Sequence, residues 1–223
     1  MTDIKIGIID DDNTHVNDIK RVFARYSKIE DSSLSFSYES FYNDKNSDYE
    51  SLLNNIMDAI NTQTVDCLLI DYKLMFVHET NKGADIINEI RDTLPEFPCV
   101  ILTGRGDECV KELRVDPDKI YVKEDFLAIG TDKSNMLVKK IIANVIIVKQ
   151  RIKTLTAQIN DLKNQIKTGT DAFTNETIGK IIECESKLSK YCVLGQSEVD
   201  KIYDSQAMEK IVSLIEKANE LLD

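Results

Sequence analysis

The sequence predicts an α/β domain with a parallel sheet, followed by an all-α segment. Over residues 1–131, short apolar runs alternate with stretches whose apolar residues recur at helical spacing. Strands that alternate with helices imply right-handed crossovers, which place helices on both faces of a doubly wound parallel sheet. From Asp132 onward the strand-like runs stop and helical spacing continues. The 223 residues therefore divide into two predicted domains, residues 1–131 and residues 132–223.

Five apolar runs are predicted to form the strands. Each is short, carries apolar residues continuously or at every second position, and is bounded by polar or turn-forming residues. The runs are residues 4–9, 34–38, 65–70, 99–102 and 119–122. Apolar residues spaced three and four apart predict the intervening helices, at about residues 16–27, 52–60 and 86–94, with a short helix at about 106–114. Asp12, Asn13 or Thr14 could cap the first of these helices.

The C-terminal segment is predicted to begin with one long helix, over about residues 132–168. Its apolar residues follow alternating spacings of three and four, the pattern of a coiled-coil or bundle seam. The seam consists of Val138, Ile141, Val145, Val148, Ile152, Leu155, Ile159, Leu162 and Ile166. Ile142, Ile146 and Ile147 widen its first half, so one face could pack on the sheet while another meets a partner. Two further helices are predicted over about 174–190 and 197–222, and both dimerisation and an intramolecular bundle fit this pattern.

Composition and charge exclude several classes of partner. The net charge is -11, and residues 1–131 carry 14 Lys and Arg against 26 Asp and Glu, so phosphate backbones of nucleic acid should be repelled. No apolar run approaches the roughly 20 residues that a membrane span needs, and the N-terminus does not read as a signal peptide. Five cysteines without metal-type spacing are typical of reduced thiols. We expect a cytoplasmic protein with no nucleic-acid or membrane partner.

Polar residues follow four of the predicted strands, at the point where each strand ends. Asp10–Asp12 follow the first strand, Asp71 the third, Thr103 the fourth and Lys123 the fifth. In an open parallel sheet, the carboxyl ends of the strands border the ligand crevice. Carboxylates, a hydroxyl and an ammonium at one edge are suited to hold a divalent cation and a phosphoryl group.

These strand ends resemble the receiver domain of two-component response regulators. The resemblance covers about the first 130 residues and is carried by Ile8-Ile9-Asp10-Asp11, Leu69-Ile70-Asp71, Ile101-Leu102-Thr103-Gly104 and Tyr121-Val122-Lys123. It implies a flavodoxin-like, five-stranded sheet in the order 2-1-3-4-5.

The resemblance also implies a magnesium site. Asp11 would bind Mg²⁺ directly and Asp10 mainly through water. Asp71 and the backbone carbonyl of Lys73 would complete the protein ligands. Oxygen donors of this kind are those that Mg²⁺ prefers.

By the same resemblance, Asp71 would be the phosphoacceptor. Thr103 would hydrogen-bond the phosphoryl group and Lys123 would pair with it. The protein would then be a response regulator that takes a phosphoryl group from a phosphodonor and loses it by autodephosphorylation, with no other enzymatic activity. A histidine kinase or phosphotransfer protein would be the donor. Residues 132–223 lack a basic recognition helix, so the output would be binding of an effector protein or self-association.

Departures from the family pattern favour an alternative, a pseudo-receiver scaffold that is not phosphorylated. Ile120 stands where the family usually has an aromatic residue, and Glu124 stands where it usually has proline. The segment after Asp71 also reaches the expected glycine, Gly83, about four residues late.

A third reading is a haloacid-dehalogenase-like phosphatase. Asp10-Asp11-Asp12-Asn13-Thr14 resembles the Asp-x-Asp-x-Thr start of that family, with Asp10 as nucleophile and Asp12 as acid and base.

The two histidines, His15 and His78, are expected to be surface residues rather than metal ligands or phosphate carriers.

Overall fold

The computed structural model describes residues 2–41, 48–74, 83–104, 116–168 and 175–193. Three features predicted from the sequence lie outside these residues: the short helix near 106–114, the environment of His78, and the last helix over 197–222.

The described residues form a five-stranded, all-parallel sheet in the order β2-β1-β3-β4-β5, which confirms the predicted flavodoxin-like topology. The strands are β1 (Thr2–Ile9), β2 (Leu34–Ser40), β3 (Cys67–Asp71), β4 (Cys99–Thr103) and β5 (Ile120–Val122). The register pairs Ile9 with Ile70, Asp71 with Leu102, and Thr103 with Val122. Four neighbouring strands therefore end nearly level with one another. We call this side of the sheet the carboxyl edge.

Six helices lie in the described residues. They are α1 (Asn13–Ile29), α2 (Tyr49–Asn61), α3 (Gly83–Thr93), α4 (Lys123–Leu127), α5 (Asp132–Thr168) and α6 (Asn175–Leu188). A short 3₁₀ turn, Pro117–Lys119, precedes β5. Asp12 caps α1, accepting a hydrogen bond from the Thr14 amide at 2.7 Å. None of these helices has an apolar stretch of the length that crossing a bilayer requires.

Two apolar clusters cover the two faces of the sheet. Residues of α2 and α3 pack on one face, whereas residues of α1, α4 and the first half of α5 pack on the other. Successive residues of a strand point to opposite faces, so Ile8 belongs to one cluster and Ile9 to the other. Because both faces are covered, the central strands are apolar at nearly every position.

The first half of α5 is part of the sheet's core. Val138, Ile141, Ile142 and Val145 are buried in the same cluster as α1, whereas Ile146 and Ile147 are exposed. This half of the predicted seam therefore packs within the chain, while Ile146 and Ile147 face outward.

The chain divides into two compact units, and the division falls inside α5. The first unit is Met1–Lys153 with Lys190–Cys192, and the second is Thr154–Ser189 with Val193–Asp223. The boundary predicted at residues 131/132 lies at the start of α5 and stays a prediction. The first half of α5 packs on the sheet.

In the second unit, α6 packs beside the second half of α5. Ile159, Ile181 and Leu188 are buried. Lys163 Nζ lies 4.0 Å from Glu185 Oε1, and the Cys184 thiol donates to Gln158 Oε1 at 3.9 Å.

Gly83 begins α3 directly against the end of β3. Its amide donates a hydrogen bond to the carbonyl oxygen of Tyr72 at 3.0 Å. A Cβ at this position would lie 2.0 Å from the carbonyl oxygen of Asp71 and 2.8 Å from Ile70 Cγ2. Only glycine permits this approach of the two backbones. The position of Asp71 is therefore supported from α3 as well as from the neighbouring strands.

Gly83→Ala should destabilise the protein by about 1–3 kcal/mol or more, because the added methyl group would overlap a backbone oxygen that the sheet holds in place. Urea denaturation would measure the loss. Gly104→Ala is the matched control at the same edge, since its Cβ would lie an ordinary 3.7 Å from Glu124 Oε1. Equal stability of the two variants would contradict the close packing at Gly83.

Candidate functional site

Acidic residues converge at the carboxyl edge of the sheet. Asp10 and Asp11 follow β1, and Asp71 is the last residue of β3. One carboxylate oxygen from each lies within 4.8 Å of the others. Neighbouring parallel strands that end at the same level bring these residues together although they are far apart in sequence. The structure thus gathers the three carboxylates that the sequence analysis assigned to a metal.

The side chain of Lys123, the first residue after β5, contacts this acidic group. Its ammonium nitrogen lies 2.6 Å from Asp71 Oδ1 and 2.9 Å from Asp10 Oδ2. A third polar atom, His15 Nδ1, is 3.2 Å away. The Lys123 side chain is only 12% exposed. A lysine ammonium has three N–H donors, and three polar atoms lie around it here.

The backbone at Lys123 is regular. Lys123 begins α4, which follows β5 without a loop, and no peptide bond among the described residues is cis. Glu124 and Asp125 occupy the first turn of α4, where carboxylates interact favourably with the helix dipole. Glu124 is therefore accommodated where the resembling family usually has proline.

Asp71 is a buried carboxylate in a crowded negative environment. Its side chain is 11% exposed, and its Oδ2 accepts a hydrogen bond from the Lys73 amide at 3.2 Å. Burial raises the pKa of Asp71, the hydrogen bond and charge of Lys123 lower it, and the charges of Asp10 and Asp11 raise it again. The net pKa is above its ordinary value, because one ammonium does not fully offset burial and two neighbouring acids.

The pKa of Lys123 shifts upward as well. Burial alone would lower it, but hydrogen bonds to Asp71 and Asp10 reverse that effect. The protonated form of Lys123 is thus stabilised. Its single positive charge, however, does not fully stabilise the ionised form of Asp71. When ionised, three carboxylates and one ammonium leave two negative charges in the group. A hard divalent cation with oxygen ligands would neutralise them, so the residues present fit Mg²⁺.

Asp10 and Asp12 occupy different environments. Asp10 is 2% exposed, and its Oδ1 accepts from the Asp12 amide at 2.9 Å. Asp12 is exposed, and its carboxylate caps α1. The hydrogen bond from the Thr14 backbone lowers the pKa of Asp12. A general acid needs a raised pKa, so this environment is poorly suited to the role that a haloacid-dehalogenase mechanism would assign to Asp12.

Thr103 and Lys73 also lie at this edge. Thr103 is the last residue of β4 and is buried. It is paired in register with Val122, the residue before Lys123. Lys73 is exposed and contacts Asp71 through its amide. The predicted role of the Lys73 carbonyl as a metal ligand stays a prediction.

His15 is a site residue that the sequence analysis missed. Its side chain is 37% exposed, so it lies partly at the surface, and Nδ1 faces Lys123 and Asp10. This contact was not predicted, although the position was available: His15 is the third helical residue after the cap Asp12. Since α1 begins at the carboxyl edge, side chains of its first turn lie beside the acidic group.

The solved structures that resemble the chain include the non-phosphorylated receiver domain of the stress response regulator RcsB from Escherichia coli. The similarity has a TM-score of 0.40 and 18% sequence identity, over 57% of this chain and 86% of that chain. Neither a protein-family model nor a curated protein matches the chain. At this level of similarity, a structural neighbour does not indicate what a chain does.

Asp71→Asn should raise the melting temperature of the metal-free protein at pH 7. The pKa of Asp71 is raised in the folded state, so the contribution of this group to stability is complete below its ordinary value of 3.8 and is lost as pH rises through the folded value. At neutral pH the ionised carboxylate therefore destabilises the fold. The difference between variant and wild type should shrink toward pH 4. Thermal unfolding in chelator across this range measures it.

Asp66→Asn is the control for that measurement. Asp66 Oδ2 lies 2.7 Å from Lys149 Nζ and accepts from the Lys5 amide at 2.9 Å, so it has two compensating partners. Its neutralisation should lower the melting temperature. If Asp71→Asn also lowered it at pH 7, the electrostatic account of the site would be wrong.

Proposed function

We propose that the chain is a two-component response regulator whose residues 1–131 form a Mg²⁺-dependent phosphoacceptor domain. The observation that carries the proposal is the position of Lys123 Nζ, within hydrogen-bond distance of both Asp71 and Asp10 at the edge where Asp11 also lies. A nucleophilic carboxylate, a fixed ammonium and an acidic cation site are the parts that phosphoryl transfer to an aspartate requires.

Asp71 is the nucleophile in this proposal. One of its carboxylate oxygens forms a bond to the phosphorus of the donor, and the bond from phosphorus to the donor's nitrogen or oxygen breaks. The product is an acyl phosphate on Asp71, which water later hydrolyses. Asp10, Asp11, Asp71 and the Lys73 carbonyl would hold Mg²⁺, which would offset the negative charge of the phosphoryl group.

Lys123 and Thr103 respond to the new charge. A phosphoryl group adds about 1.5–2 negative charges at pH 7. Lys123 is close enough to pair with it after a small shift away from the Asp71 carboxylate, and the Thr103 hydroxyl can donate to a phosphoryl oxygen. Such shifts could bias the backbone at the ends of β4 and β5 between two arrangements, which is how a local charge becomes a signal.

The partners follow from the domain arrangement. A histidine kinase or a phosphotransfer protein in the cytoplasm would supply the phosphoryl group. Residues 132–223 would provide the output by binding an effector protein or a second copy. Ile146 and Ile147 on α5 are exposed apolar residues available for such contact.

Acetyl phosphate with Mg²⁺ should add one phosphoryl group to the wild-type protein and none to Asp71→Asn, because the carboxamide is not a nucleophile. Intact-mass spectrometry measures the addition. Chelation of Mg²⁺ should abolish it, whereas Asp12→Asn should retain it, since the exposed Asp12 side chain caps α1 and asparagine is an equally good cap.

Each remaining outcome supports another reading. An unmodified wild-type protein would favour the pseudo-receiver scaffold. Turnover of p-nitrophenyl phosphate that survives Asp71→Asn but not Asp10→Asn would favour the phosphatase.

Mg²⁺ should stabilise the wild-type protein by about 2.7 kcal/mol at about 100 times its dissociation constant, by mass action on the folded state. Asp11→Asn should lose most of this gain, because it removes one of the three clustered carboxylates. Chemical denaturation with and without Mg²⁺ gives both values. An equal gain in the variant would place the cation elsewhere.

A further inference from the structure

We propose that His15 is a positioning residue that holds the ammonium of Lys123 through Nδ1, and so sets how fast the acyl phosphate forms on Asp71. The effect of His15 on the rate of acyl phosphate formation rests on the proposed function. The contact between His15 and Lys123 does not depend on that function.

The atom nearest to His15 Nδ1 among its polar neighbours is the Lys123 ammonium nitrogen. His15 Nδ1 lies 3.2 Å from Lys123 Nζ, but 3.5 Å from Asp10 Oδ1 and 3.8 Å from Asp12 Oδ2. A lysine ammonium has only donors, so Nδ1 must be the acceptor and carry no proton. The proposed contact therefore requires the neutral tautomer of His15, with its proton on Nε2.

The three acceptors around Lys123 differ in what the reaction does to them. Asp71 becomes the acyl phosphate, and Asp10 belongs to the carboxylate group that faces the cation. Both therefore change charge or partner during phosphoryl transfer. Of these three acceptors, only His15 keeps the same charge and the same covalent structure throughout the reaction. It can hold one ammonium proton while the other two turn toward the phosphoryl oxygens.

The fold fixes His15 independently of Lys123. His15 lies in the first turn of α1, whose start is set by the Asp12 cap. The next residue, Val16, is buried in the cluster that covers this face of the sheet. Lys123, in contrast, follows the far strand β5. The contact therefore joins residues that are 108 positions apart, one in the helix that follows β1 and one in the helix that follows β5.

The test compares two substitutions of nearly equal shape. His15→Asn places an amide oxygen where Nδ1 now lies, whereas His15→Leu fills the same space without an acceptor. With acetyl phosphate and Mg²⁺, His15→Leu should phosphorylate about 2–10-fold more slowly than the wild type, the range expected for one lost hydrogen bond. His15→Asn should recover most of the rate. In a Lys123→Met background, neither substitution should change the residual rate further.

Equal rates for the Leu and Asn variants, or slowing that persists in the Lys123→Met background, would overturn the positioning role. A merely structural role would lower the melting temperatures of both variants without this difference in rate.

A second measurement does not depend on phosphorylation. In the metal-free protein, nitrogen NMR of His15 should show Nδ1 without a proton and Nε2 with one. The ammonium protons of Lys123 should exchange more slowly in the wild type than in His15→Leu. A proton on Nδ1 would refute the contact. If the wild type is never phosphorylated, the proposed function fails, and these spectra still decide whether His15 holds Lys123.

Discussion

One ammonium buried among several carboxylates determines the electrostatics of the candidate site. Lys123 lies within 2.9 Å of oxygens from both Asp10 and Asp71. The pKa values of Lys123 and Asp71 are both raised, and the two shifts are consistent: hydrogen bonds to the carboxylates stabilise the Lys123 ammonium, but its charge does not fully offset the burial of Asp71 and the neighbouring acids. The negative charges of these residues are therefore not balanced within the group, and the three clustered carboxylates could hold a cation.

The fold could be predicted because its pattern is repetitive. Alternation of strands and helices implies parallel crossovers, and the resemblance of four strand ends to one family supplied the strand order. The site residues followed for the same reason, since parallel strands that end level with one another bring their next residues together. Asp10, Asp11, Asp71 and Lys123 were all found in this way. Asp12 could also be predicted as one of the candidate caps of α1, because it precedes a run of helical spacing.

The parts that sequence reasoning missed depend on three-dimensional neighbours. The seam of α5 has one period throughout, and a period does not reveal what covers it. In the first half the cover is the sheet itself, as the burial of Val138 and Val145 shows. A lone histidine in a helix likewise has no periodic signal. Its position relative to the helix cap was the available clue, because α1 starts at the carboxyl edge.

The contact between Gly83 and the carbonyl of Asp71 makes the start of α3 independent of the length of the segment before it. Two backbones that touch directly define where α3 must start, whatever the length of the segment that leads there. A change in the number of residues between Leu74 and Gly83 therefore need not displace the Asp71 carboxylate.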